Sequence, residues 1–188
     1  MALMLAGACW AAWTVLNPMV ALHTFMGAFV YGVVYTLWLK RRSWLNIVVG
    51  GLAGSFAVLA GAAAIDPDLS PLPLLLSLVL FLWTPPHFWS LAIAREADYA
   101  AAGVPMLPVV VGAQRAAQAV LVSTVALVVA SLLPGFFGAG PVYLAGAAAG
   151  GVYFIVKSWG LWLEPCRKTA MGAFSASLVQ LSLVLVAA

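Results

Sequence analysis

Residues 81–112 read FLWTPPHFWSLAIAREADYAAAGVPMLPVVVG. This stretch gives the clearest indication of how the chain lies relative to a membrane. Its first half is apolar enough to lie in a membrane, and it runs directly into Arg95, Glu96 and Asp98. Ionisable groups are costly at a membrane boundary, so these three residues are candidates for a functional site. A turn rich in glycine and proline follows them.

The composition indicates an integral membrane protein. Of 188 residues, 65% are hydrophobic and 7% are charged, and the mean hydropathy is +1.12. Soluble domains contain about half apolar and about a quarter charged residues, so the lipid bilayer is the expected surrounding. The net charge of +3 forms no basic face, which excludes nucleic acid as a partner. Cys9 and Cys166 lie far apart, outside any metal-binding or haem-attachment spacing.

Seven segments come close to the length and apolarity of a membrane-spanning helix, which needs about 20 residues. They predict an all-α polytopic membrane protein, a single membrane-embedded domain over residues 1–188. The seven segments are residues 2–16, 20–39, 46–65, 72–94, 117–134, 141–163 and 170–187.

Lysine and arginine alternate between the connections. The second, fourth and sixth connections hold almost all of them, and the first, third and fifth hold none. By the positive-inside rule, the basic connections face the cytoplasm. Residues 40–42 and 95–98 therefore share one membrane face.

The end of the fourth segment allows two interpretations. If the helix continues to Asp98, then His87, Arg95 and Asp98 lie on one helical face, which suits the lining of a cavity that opens to the cytoplasm. Alternatively, Arg95 and Asp98 form an interfacial ion pair, and His87 bonds to a neighbouring helix.

The basic connection after the second segment is also open to two interpretations. Lys40, Arg41 and Arg42 stand between tryptophans, as in a membrane anchor with an aromatic belt. They also suit a clamp for a diphosphate, with Asp98 supplying a carboxylate to Mg²⁺. Asn46 either caps the third helix or contributes to the same mouth.

Two further acidic sites look like turns. Asp66-Pro67-Asp68 has the paired carboxylates of a metal site, but the charge count places it on the opposite membrane face. Glu164-Pro165 precedes two basic residues and is typical of an interfacial turn.

Three stretches carry a family resemblance. YTLWLKRR at 35–42, NIVVGGLAG at 46–54 and PHFWSLAIAREADYAAAGVPMLPVV at 86–110 resemble the protohaem IX farnesyltransferases, which are UbiA-type intramembrane prenyltransferases. The resemblance covers nearly the whole chain. It implies a bundle of nine helices when complete, of which this chain would be the C-terminal part.

The resemblance also implies a reaction. Farnesyl diphosphate would bind through Mg²⁺ near the cytoplasmic mouth, and a vinyl group of haem b, a substrate and not a cofactor, would trap the farnesyl cation to give haem O. The candidate catalytic residues are Asp98, Arg95 and Lys40, with Asp98 as the Mg²⁺ ligand. The candidate substrate-binding residues are Tyr35, Lys40, Arg41, Asn46, His87, Arg95 and Tyr99, with His87 near the haem.

The resemblance implies a bacterial inner-membrane location, a site facing the cytoplasm, and haem A synthase or a terminal oxidase as assembly partners. The family's Asn/Asp-rich first motif and the two helices around it are not found in the sequence. We therefore expect the chain to be an N-terminally truncated form of such an enzyme, inactive or impaired by itself.

Other functions stay open. A related prenyltransferase with an aromatic acceptor would share the fold. A transporter or a non-catalytic assembly subunit belongs to a different class. A transporter is expected to carry internal repeats and ionisable groups near the midplane, whereas nearly all charges here lie at helix ends.

Overall fold

The computed structural model describes residues 2–188, and these form helices joined by short connections. Their bounds are α1 (Leu3–Leu16), α2 (Pro18–Leu39), α3 (Asn46–Ala63), α4 (Pro71–Ala94), α5 (Glu96–Ala101), α6 (Leu107–Val111), α7 (Ala113–Phe136), α8 (Gly140–Leu163) and α9 (Arg167–Ala187). No strand occurs in this part of the chain. The prediction of an all-α polytopic membrane protein is confirmed.

Six helices, namely α2, α3, α4, α7, α8 and α9, are long and apolar enough to cross a membrane. The first predicted span is the exception, because α1 is a shorter apolar helix. The last three spans start earlier than predicted, by up to four residues. Polar residues such as Gln114 and Arg167 extend these helices beyond their apolar stretches.

Helix α4 is the centre of the bundle and packs against α3, α7 and α9. It contains Pro85 and Pro86 in its interior, and each proline removes one backbone hydrogen bond. Two side-chain hydroxyls in this part of the helix also hydrogen-bond to backbone carbonyls: Thr84 donates to Leu80 at 3.0 Å, and Ser90 donates to Pro86 at 2.7 Å. Neighbouring helices make such proline-containing spans tolerable in a membrane.

Asn17 fixes where α2 begins. Its Oδ1 accepts from the Val20 backbone N–H at 3.0 Å, and Pro18 occupies the first helical position. Both are favoured at a helix start. Its Nδ2 donates to the Ala63 carbonyl at 2.7 Å, so one side chain joins the start of α2 to the end of α3.

The second half of α2, Val30–Leu39, is wound as a π-helix. The Lys40 N–H bonds to the Tyr35 carbonyl at 2.8 Å, and the Thr36 hydroxyl bonds to the Tyr31 carbonyl at 2.7 Å. Both bonds reach back five residues. π-helical turns are rare and occur frequently at functional sites.

Candidate active site

The polar connections meet at one end of the bundle. Ile47 of α3 and Ala92 of α4 form a buried cluster with Val104 and Met106, and Tyr35, Phe88, Tyr99 and Val109 pack around it. Four segments far apart in sequence are joined here: the end of α2, the start of α3, the end of α4 and the connection before α7. The residues around Lys40 and around Asp98 therefore lie at the same end.

A cavity of about 210 Å³ opens just inside this end, between α2, α3 and α4. Its lining is mainly aromatic and apolar, from Tyr31, Tyr35, Ile47, Gly50, Thr84 and Phe88. The rings of Tyr31 and Tyr35 stack with centroids 5.7 Å apart. The site thus combines an aromatic-lined pocket with charged connections at its rim, which suits a molecule with an apolar chain and a charged head.

Two glycines of α3 allow residues of α2 and α4 to approach this helix closely. A Cβ added at Gly50 would lie 2.9 Å from Cδ2 of Tyr35, and one added at Gly51 would lie 3.1 Å from Cβ of Thr84. Real Cβ atoms do not approach ring carbons as closely as 2.9 Å. Gly50 is therefore needed for the Tyr35 ring to lie against α3.

Lys40, Arg41 and Arg42 are exposed in the connection between α2 and α3. Trp44, which follows them, lies against Trp89 of α4 with ring centroids 6.4 Å apart. The basic connection is thus attached to the bundle, while its cationic groups face outward.

Asn46, at the start of α3, is hydrogen-bonded to this connection. It is 1% exposed, and its Nδ2 donates to the Lys40 carbonyl at 3.3 Å. Of the two interpretations of Asn46, the cap on α3 is wrong: the cap position is Leu45, and no side chain caps this helix. The Oδ1 of Asn46 is buried and has no partner in the described chain.

The continuous helix from His87 to Asp98 is also corrected by the structure. Helix α4 ends at Ala94, where Arg95 has φ −126° and ψ 31° and interrupts the helix before α5. This break makes a single polar face from His87 to Asp98 impossible. Arg95 and Asp98 instead form an i, i+3 pair with Nη1 3.4 Å from Oδ2, and both side chains are more than half exposed.

The carboxylates do not complete a Mg²⁺ site. The rim carries Glu96 and Asp98, and no group of three potential metal ligands exists within residues 2–188. A bound Mg²⁺ requires near-octahedral oxygen coordination. Asp98 would supply one oxygen ligand and Glu96 at most a second, so these residues do not hold the ion by themselves.

His87 faces away from the cavity. It is 6% exposed, and its ring stacks between Trp83 and Phe174, with centroids 4.0 Å and 4.5 Å away. Its Nδ1 lies 2.7 Å from the Ser177 hydroxyl oxygen of α9. The structure supports the second interpretation of His87, in which it hydrogen-bonds to a neighbouring helix.

The hydrogen bonds around Ser177 fix the state of this imidazole. The Ser177 hydroxyl donates its one hydrogen to the Phe174 carbonyl at 2.6 Å, so its oxygen accepts from His87. This assigns the proton of the neutral ring to Nδ1. The Nε2 lone pair is then left as the free acceptor.

Sequence reasoning missed four residues that build this region. Thr84 and Phe88 line the cavity, and Tyr31 stacks on Tyr35. Ser177 accepts a hydrogen bond from His87. The Tyr31–Tyr35 spacing could have signalled Tyr31, and the position of Phe88 beside His87 could have signalled Phe88, whereas Thr84 had no comparable signal. Ser177 had no signal, because its partner is on another helix.

The remaining acidic residues lie elsewhere. Asp66 and Asp68 occupy the exposed turn between α3 and α4, at the other end of the bundle, and the Asp68 N–H donates to Asp66 Oδ1 at 3.1 Å. Glu164 is in the connection between α8 and α9, where its carbonyl accepts from the Thr169 hydroxyl at 2.6 Å. Both are local turn structures.

The fold and this site define an intramembrane helical protein with a charged rim above an aromatic cavity. Residues 1–184 match the UbiA prenyltransferase family, and the chain belongs to that family. No solved structure matches the chain.

Relatives carry a more specific name. The chain is 63% identical over 171 residues to protoheme IX farnesyltransferase 2 of Paramagnetospirillum magneticum, a match that covers 91% of this chain and 59% of the relative. It is 55% identical over 172 residues to protoheme IX farnesyltransferase 1 of the same organism, covering 91% and 61%. The corresponding enzyme of Parvibaculum lavamentivorans is 46% identical over 161 residues, covering 83% and 51%. The chain thus spans less than two thirds of the length of these relatives.

Proposed function

We propose that this chain forms part of a protohaem IX farnesyltransferase, which transfers the farnesyl group of farnesyl diphosphate to a vinyl group of haem b. The observation that carries this proposal is the meeting of the two polar connections above the aromatic cavity. The names of the relatives supply the choice of acceptor within the family.

The diphosphate would bind at the rim. Lys40 and Arg41 are exposed cations there, and Arg95 offers a third. Arginine and lysine groups form charge-assisted hydrogen bonds to phosphate oxygens. Neutralising the leaving diphosphate would stabilise the charge that develops as the C–O bond breaks.

The farnesyl chain would lie in the cavity. Its lining is mainly aromatic and includes Tyr31, Tyr35 and Phe88. The bond to diphosphate breaks with its electron pair leaving on oxygen, and the vinyl π electrons form the new C–C bond. Water then adds to the resulting cation and releases a proton to solvent.

A divalent cation, when bound, would neutralise diphosphate oxygens, and Asp98 is the residue here that would contact it. Asp98 and Glu96 do not make a complete ligand set, and diphosphate oxygens and water molecules would supply further ligands. The role of His87 near the haem stays a prediction. Its burial and its bond to Ser177 favour a positioning role.

The location at the rim gives the proposed topology. Residues 40–42 and 167–168 lie at one end of the bundle, and the positive-inside rule favours a cytoplasmic position for this end. We propose the bacterial inner membrane as the location, and haem A synthase or a terminal oxidase as the protein that receives the product.

A chimera tests the proposal. This chain would replace the matching segment of the Paramagnetospirillum relative, in cells lacking their own haem O synthase. We expect haem O in the membranes, and its loss in the Lys40→Gln and Asp98→Asn variants. Haem b that stays unmodified in a folded chimera, or farnesylated 4-hydroxybenzoate as the product, would refute the choice of acceptor.

A further inference from the structure

We propose that a crevice between α8 and α9 binds the phosphate group of an anionic membrane lipid. The crevice has a volume of about 410 Å³, and its polar lining comes from Lys157, Glu164, Cys166, Lys168 and Thr169. It lies at the same end of the bundle as the candidate active site and shares no lining residue with that cavity. This inference does not depend on the proposed reaction.

Lys157 is a cation placed well inside a membrane span. It lies six residues before the end of α8, about 9 Å along the helix axis. Its Nζ is 5.6 Å from the centroid of the Tyr153 ring, and the ion pairs of residues 2–188 do not include it. A charge at this depth is costly unless it reaches the interface or finds a partner. A lipid phosphate at the crevice would be that partner.

The other charges of the crevice favour a single negative charge on the ligand. Lys168 stands in the first turn of α9 and is exposed. Two lysines, Lys157 and Lys168, and one carboxylate, Glu164, line the crevice, which leaves one excess positive charge in its lining. The Thr169 hydroxyl is uncharged, and it donates a hydrogen bond to the Glu164 carbonyl that stabilises the turn. A phosphodiester carries one negative charge and matches this balance.

The surroundings favour a lipid as the source of the phosphate. Val156 lines the crevice and is 60% exposed, and Val152 and Trp159 continue the same exposed apolar surface of α8. Acyl chains would lie along this surface while the headgroup fills the crevice. Basic pockets between transmembrane helices on the cytoplasmic side bind anionic headgroups by this arrangement.

Two glycines keep the crevice open. Gly160 and Gly172 line it from the two helices, and a Cβ added at either would meet no atom within 4 Å. A larger side chain at Gly172 would therefore occupy the crevice without displacing the packed core. This provides a way to block the site without changing its charge.

Native mass spectrometry of the purified chain tests the proposal. The chain would be equilibrated with equal amounts of dioleoyl phosphatidylglycerol and dioleoyl phosphatidylcholine, which differ only in headgroup. We expect preferential retention of one phosphatidylglycerol. Lys157→Gln and Lys168→Gln should each lower that preference by about fivefold, the usual contribution of one cation near a charged lipid headgroup.

Two control variants test whether the lipid preference depends on the crevice itself, and not on positive charge elsewhere or on loss of folding. Arg115→Gln removes an exposed cation at the same end of the bundle but outside the crevice, and should leave the preference unchanged. Gly172→Leu should reduce phosphatidylglycerol retention while leaving the thermal midpoint near that of the wild type. Equal retention of both lipids by the wild type, or unchanged preference in both lysine variants, would overturn the proposal. Full displacement of the lipid by inorganic phosphate at constant ionic strength would overturn the lipid source and assign the crevice to free phosphate.

Discussion

The imidazole Nδ1 of His87 lies 2.7 Å from the hydroxyl oxygen of Ser177, and this bond ties the centre of α4 to α9 inside the bundle. Both side chains are buried, His87 at 6% and Ser177 at 0% exposure. A buried donor that loses its acceptor keeps the full cost of having left water. The pair is therefore a stabilising contact whatever its part in catalysis.

Ser177→Ala should lower the free energy of unfolding by about 1–3 kcal/mol, because the His87 N–H would be left without an acceptor. Thermal unfolding in detergent, followed by circular dichroism, measures this. Ser175→Ala is the matched control, since Ser175 is exposed on the same helix and its change should be within ~0.5 kcal/mol. Equal midpoints for the two variants would contradict the importance of this bond.

Gly50→Ala should impair the chimera by about tenfold to a hundredfold in haem O formation, because small displacements of positioning groups have effects of this size. The new methyl would stand 2.9 Å from Cδ2 of Tyr35 and move its ring. Gly61→Ala is the control on the same helix, where a Cβ meets no atom within 4 Å. That variant should be as active as the parent. If both variants made haem O at the parental rate, Tyr35 would not shape the site.

Arg95 and Asp98 should matter for activity and hardly at all for stability. Their ion pair is exposed, and exposed pairs contribute about 0–1 kcal/mol. If they act on the diphosphate, Asp98→Asn should lower haem O formation by about a hundredfold or more. Stability and product formation measured on the same chimera preparations separate the two roles. A large loss of stability with unchanged activity would show that Arg95 and Asp98 have a structural role and no role in the reaction.

The spans were predictable because their signal is local. A run of apolar residues next to a turn signal such as Asn17-Pro18 or Asp66-Pro67-Asp68 marks the helices. The meeting of the regions around Lys40 and Asp98 at one end followed from counting lysine and arginine in the connections. Neither step needs knowledge of which helices touch.

The details of the site depended on contacts between helices, and these left no local signal. The helix break at Arg95 could not be read from periodicity, because Ala94 and Glu96 are both good helix formers. His87 was placed on the expected helix, yet its direction is set by Ser177, Trp83 and Phe174. Likewise, the need for Gly50 appears only once Tyr35 is seen against it.

Cys166 should react with iodoacetamide at lower pH than an ordinary thiol. Its Sγ lies 3.4 Å from the Thr169 hydroxyl, and hydrogen bonds from Thr169 lower the pKa of this thiol. A lower pKa gives more thiolate at a given pH, and the thiolate is the reacting form. The Glu164 carbonyl competes for the same hydroxyl at 2.6 Å, so the effect is limited. In a Cys9→Ala background, Thr169→Val should move the pH profile of alkylation upward. A downward shift or none would show that Thr169 does not stabilise the thiolate.

The 188-residue chain alone should bind a divalent cation about tenfold or more weakly than the chimera. Its rim contributes two carboxylates, Glu96 and Asp98, and Asp98 is paired with Arg95. The chimera would have the full length of the Paramagnetospirillum relative, of which the match covers 59%, so it would add residues that this chain does not contain. Mn²⁺, which prefers the same oxygen ligands as Mg²⁺, allows binding to be followed by electron paramagnetic resonance with diphosphate present. We also expect the chain alone to form less haem O than the chimera. Farnesyl diphosphate should still bind weakly through Lys40 and Arg41. Equal Mn²⁺ affinity and equal haem O formation in chain and chimera would show that the described residues suffice for catalysis.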